Sequence, residues 1–149
     1  GDRERVQPVA QLVADEICAA LHVARLRVLV SGTRPSNTRG ELHGLYTPSN
    51  GHAAPATIKV WMITAKRGQV VAFKTFLRTL LHEICHHLDY ALLGLGDSFH
   101  TDGFYKRESS LFYQIGAVSA SNPAARQARA SRPSTPAAHT PTATSPLPN

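Results

Sequence analysis

The sequence predicts an α+β fold, with an N-terminal helix, a small three-stranded sheet and two further helices. Three observations lead there. Apolar residues recur at helical spacing near the start of the chain and again between Val70 and Leu93. The stretches between them alternate as strands do. Beyond Ser121 the composition turns to Pro, Ala, Ser and Thr, which cannot bury enough apolar surface to offset ordering entropy. The chain therefore divides into a folded domain, residues 1–121, and a disordered tail, residues 122–149.

The elements follow in order. Val6, Val9, Ala10, Leu12, Val13, Ile17, Ala20 and Leu21 predict an amphipathic helix over residues 5–22, ended by His22. Leu26 to Val30 alternates as a first strand. Glu41 to Tyr46 is a weaker strand, closed by Thr47-Pro48. Ala56 to Ile63 is the strongest, with Ile58, Val60 and Met62 on one face and Lys59, Trp61 and Ile63 on the other. Pro48-Ser49-Asn50-Gly51-His52 has the composition of a loop, and His43 and His52 read as exposed. No Pro or Gly interrupts residues 70–93, and Gly94 is placed to end that helix. A last helix is expected to open near His100 and run to about Gly116, with Phe104, Leu111, Phe112 and Ile115 on its apolar side.

The chemistry concentrates in the long helix. His82-Glu83-Ile84-Cys85-His86 is an HExxH pattern. Residues four apart lie one turn above another on a helix, so His82 and His86 can bind one tetrahedral Zn²⁺. Glu83 projects from a neighbouring face and suits a general base rather than a ligand. Phe73, Phe76, Leu77, Leu80, Leu81, Ile84 and Leu88 form an apolar stripe opposite the two histidines. Catalytic zinc sites use three protein ligands and leave one position open. His100 is the expected third, brought back by the Gly94-Leu95-Gly96 turn; Glu108 is the alternative, with Asp89 behind it. His87 points about 100° away from His86 and is poorly placed for the same metal. Asp89 has two further readings, as a carboxylate that orients an imidazole or as a partner for Arg107.

HExxH followed by a glycine-containing turn and then His100-Thr101-Asp102-Gly103-Phe104-Tyr105 resembles the zincin metallopeptidases, and within them the SprT-like branch and its relatives. The resemblance covers Phe73 to Ile115. It implies a minimal zincin-like fold, a zinc cofactor, a water nucleophile and a peptide or protein substrate. In that fold the strand before the motif helix often borders the cleft, which points to residues 56–63 as the strand that substrate joins. The pattern departs from the family in two ways. The glycine normally next to the third histidine stands at Gly103, and no Cys-rich zinc ribbon is present. Tyr105 is the phenol nearest His100 in sequence and a candidate oxyanion donor; Tyr46, Tyr90 and Tyr113 are others.

Charge and cysteine content bound the partners. Arg126, Arg129 and Arg132 hold three of the sixteen basic residues, which leaves residues 1–121 at only +3. That balance makes a weak case for a nucleic-acid partner, and no basic run or RNA-binding aromatic pattern adds to it. Cys18 and Cys85 do not form a disulfide framework and read as small core thiols, as in a cytoplasmic protein. No run of about 18–20 apolar residues suits a membrane span. Two function classes follow: a zinc peptidase, and a non-catalytic zinc-binding or interaction domain. An intact Glu83 favours the first, because closed structural zinc sites need no general base.

Overall fold

A computed structural model describes residues 2–51 and 53–121. His52 and the segment 122–149, with its three arginines and the expected disordered tail, lie outside the described residues. The elements are α1 (Asp2–Ala20), β1 (Arg27–Thr33), β2 (Ser36–Asn37), β3 (Gly40–Glu41), β4 (Gly44–Thr47), β5 (Thr57–Ile63), α2 (Phe73–Ala91) and α3 (Asp102–Ser121). The first compact unit ends at Ile115; of the second, only the helical residues 116–121 are described.

The α+β class holds, with three helices and a mixed three-stranded sheet in the order β1-β5-β4. β1 runs parallel to β5 and β4 antiparallel to it. Val28 and Val30 of β1 and Ile58, Val60 and Met62 of β5 alternate onto one face. That face packs on Ala10, Ala14 and Cys18 of α1 and on Phe76, Leu80, Leu81, Ile84 and Leu88 of α2. The α1 contact is made by small residues four apart, which lets the helix lie close to the sheet. Val9 and Leu12, expected on its apolar side, are exposed, as is Phe73 at the first residue of α2.

Four further expectations are corrected. The segment 41–46 is not one strand. Glu41 pairs with Ser36 in a separate β2-β3 hairpin, and β4 begins at Gly44. His100 does not open the last helix but precedes it, since α3 starts at Asp102 and reaches Ser121 rather than Gly116. Gly94 adopts φ +63, but the helix cap is Leu92; the glycine shapes the turn beyond it, where the Leu95 N–H returns to the Asp89 carbonyl at 2.9 Å. Finally, β5 is the central strand, so both of its edges are taken by β1 and β4.

The two outer edges of the sheet differ. Gln7 and Gln11 of α1 act as a surrogate strand along β1. Gln7 accepts from the Val30 N–H at 2.7 Å and donates to the Val28 carbonyl at 2.8 Å. Gln11 accepts from the Val28 N–H at 2.8 Å and donates to the Leu26 carbonyl at 3.0 Å. An edge covered in this way cannot accept another strand. The β4 edge carries no such cover from α1 and borders a cleft.

Candidate metal centre

Helix α2 reaches three surroundings at once, because its periodicity distributes residues 82–89 around the wheel. Leu80, Leu81, Ile84 and Leu88 enter the core. Glu83 and His87, four apart, face β4 and the chain before β1. Cys85 and Asp89, also four apart, lie on the α3 side. His82 and His86 sit between these two flanks and line a cleft of about 650 Å³.

His100 closes the arrangement from the loop between α2 and α3. Its Nε2 lies 2.9 Å from His82 Nε2 and 3.1 Å from His86 Nε2. His82, His86 and His100 are therefore close enough to hold one metal ion. The ring of Phe104 lies 4.9, 4.7 and 5.0 Å, centroid to centroid, from those of His82, His86 and His100, and it is fully buried. It forms an apolar backing shared by all three imidazoles.

The other ring nitrogens decide what the Nε2 atoms carry. His82 Nδ1 lies 3.0 Å from Glu108 Oε2, so the nitrogen donates to the carboxylate. His86 Nδ1 lies 2.6 Å from Ser98 Oγ. The Ser98 hydroxyl proton is already given to Asp89 Oδ2 at 2.6 Å, so Ser98 accepts from His86. With both Nδ1 atoms protonated, His82 and His86 each present an Nε2 lone pair. Two lone pairs directed at one point call for a shared positive partner, which is either a proton on His100 Nε2, within hydrogen-bond distance of both, or a metal cation. Tetrahedral Zn²⁺ at about 2.0–2.1 Å from each nitrogen places its ligand atoms about 3.4 Å apart, near the spacing found here. The donor set thus fits a divalent metal with imidazole preference. Burial and the neighbouring His82 and His100 push His86 down to about 4, which keeps it neutral and able to ligate at neutral pH.

Glu83 is set into the wall beside this triangle and is only 7% exposed. Burial raises it to about 7, against the opposing effects of His82 and of the Tyr46 backbone N–H that donates to its carboxylate. The seat exists because residue 44 is glycine. A Cβ there would stand 2.7 Å from Glu83 Cγ and 2.9 Å from Cδ.

The remaining residues singled out in the sequence are placed as follows. Glu108 contacts His82 rather than converging with the three imidazoles. Asp89, 1% exposed, pairs with Arg107 through Oδ1 and accepts at Oδ2 from Ser98, which in turn contacts His86; it does not touch an imidazole directly. His87 turns away, giving its Nε2 proton to the Ala24 carbonyl at 2.7 Å and accepting from Tyr46 Oη at 3.2 Å. Tyr105 is exposed, 5.9 Å from the His100 ring, and does not line the cleft. Tyr46 and Tyr90 do line it, stacked at 5.8 Å, and burial raises the Tyr46 phenol to about 12. Tyr113 is exposed. Trp61 is buried beneath Lys59, whose Nζ lies 5.2 Å from the ring, and is a packing residue. His43 is exposed and lines the cleft. Cys18 and Cys85 are buried free thiols, and burial raises Cys85 to about 12.

Sequence reasoning did not single out Ser98 or the role of Gly44. A lone serine in a polar loop carries no periodic signal, and a glycine beside a strand reads first as a turn. No helix among the described residues is long and apolar enough to cross a membrane. No family model, curated protein or solved structure matches this chain.

Proposed function

We propose that this protein is a zinc-dependent peptidase of zincin-like architecture, in which Glu83 is the general base. One observation carries the reading: the Nε2 lone pairs of His82 and His86 converge with His100 in a cleft that also holds the carboxylate of Glu83. A zinc ion bound there supplies a Lewis acid that lowers the pKa of water toward about 7 and polarises a peptide carbonyl.

The chain's own residues do the rest. His82, His86 and His100 are neutral donors, so they leave a cation's charge unreduced. Glu83 takes a proton from the attacking water and holds it for return to the leaving amine. Its seat in the cleft wall, 7% exposed and beside His82, holds the carboxylate where a water between it and the three imidazoles would lie. Extended peptide is expected to align on β4, the open edge beside the cleft, through backbone pairing. Tyr90 is the better phenol for a developing oxyanion. It lines the cleft, whereas Tyr105 lies outside it and the Tyr46 hydroxyl is given to His87.

Metal analysis of the purified chain tests the first half of the proposal. One zinc per chain is expected, with peptide cleavage that stops on chelation and returns with Zn²⁺. His100→Ala should weaken zinc binding severely. Unchanged affinity in that variant would contradict the ligand set. Stoichiometric zinc with no cleavage of any unfolded protein substrate would favour a non-catalytic zinc-binding domain.

A further inference from the structure

We propose that Ser98 is a positioning residue: its hydroxyl relays the buried charge of Asp89 to His86 and thereby fixes which nitrogen of His86 faces the metal. The inference rests on the metal-site reading above and goes beyond it, because Ser98 belongs to no part of the HExxH pattern.

The geometry leaves little freedom. Asp89 is 1% exposed, and a carboxylate so buried needs compensation on both oxygens. Arg107 of α3 serves Oδ1, and the Ser98 hydroxyl serves Oδ2 at 2.6 Å. Once its one proton is committed there, Ser98 can only accept from His86 Nδ1, also at 2.6 Å. Three segments are joined by this chain of contacts: α2 through His86 and Asp89, the loop before α3 through Ser98, and α3 through Arg107.

Two consequences follow for the site. Ser98 stands two residues before His100, so the contact that orients His86 also anchors the loop that delivers the third imidazole. The acceptor at His86 Nδ1 is a neutral hydroxyl, whereas at His82 Nδ1 it is the carboxylate of Glu108. The two ligands of the helix are thus held by different means, and removal of the Ser98 hydroxyl leaves Nδ1 of His86 without an acceptor. The imidazole is then free to rotate or exchange its tautomer, and Asp89 Oδ2 loses its donor.

The test compares Ser98→Val with Ser98→Thr, which match in shape and differ in the hydroxyl. Zinc affinity of the metal-stripped chain is measured by competition with a chelating dye, with no peptide present. Ser98→Thr is expected near wild type and Ser98→Val weaker by about 10–100-fold, the usual effect of losing an outer partner of a metal ligand. Equal affinity of the two variants would overturn the proposal. A second measurement needs no variant. Long-range ¹H–¹⁵N spectra of the zinc-loaded wild type should show His86 protonated at Nδ1; a proton on Nε2 would overturn the assignment. Because affinity is read without catalysis, a chain that binds zinc and cleaves nothing would sink the peptidase reading and leave the Ser98 comparison decisive. A wild type with no zinc affinity would overturn both.

Discussion

Gly44 and Glu83 show how narrowly the buried carboxyl beside the three histidines is seated. The strand backbone at Gly44 passes so close to Glu83 that a single added carbon would meet its Cγ at 2.7 Å. Gly44→Ala is therefore expected to expel the Glu83 side chain from its seat while leaving the three histidines in place. Cleavage should fall by at least tenfold at unchanged zinc content, and urea unfolding should report a loss of about 1–3 kcal/mol from the added bulk. Normal activity in Gly44→Ala would show that the carboxylate works from another position. His82, Glu83 and His86 were legible in the sequence, because a five-residue spacing on a helix is itself a geometry. His100 was legible as a ligand candidate because the glycines after α2 imply a return. Its true position, in the loop before α3, was not, since helix N-termini shift by a few residues without any change in pattern. Ser98 and Gly44 act through contacts with residues distant in sequence, and such contacts leave no local signature.

At the level of elements, the sheet edges decide where the proposed peptide substrate could pair. β5 has the strongest strand pattern in the sequence, and that strength reflects burial on both sides of a central strand rather than a role at the cleft. The shorter β4 lines the cleft with Gly44, Leu45 and Tyr46, and its few residues give only a weak strand signal. α1 was legible as a helix, but its second function was not: Gln7 and Gln11 look like ordinary polar positions until the β1 edge lies beside them. Replacing both with Leu is expected to leave four backbone groups along β1 unpaired, the N–H groups of Val28 and Val30 and the carbonyls of Leu26 and Val28, at a cost of up to about 1–3 kcal/mol for each one shielded from water. Urea denaturation should register the loss, and an exposed β1 edge should promote self-association. A double variant as stable as the wild type would mean that water satisfies those groups equally well.

At the scale of the whole molecule, the folded unit is small and its parts are shared. The same α2 that supplies the core residues Leu81 and Ile84 also presents His82 and His86, so the rigidity of the site derives from the packing of the core. The contacts of Asp89 with Arg107 and Ser98 tie that helix to α3 and to the loop carrying His100. The fold class was readable because the helical and alternating periodicities are well separated along the chain. The sheet order was not, because pairing between β1 and β5 joins residues about thirty positions apart with no pattern to announce it. The proposed chemistry requires Glu83 to act as a base beside a triple-histidine zinc site. The most direct test is cleavage of an unfolded protein by wild type and by Glu83→Gln at equal zinc content, with new chain termini counted by mass spectrometry. The account predicts cleavage by the wild type and a loss of about 10²–10⁴-fold in the variant. Cleavage by Glu83→Gln at the wild-type rate would contradict it.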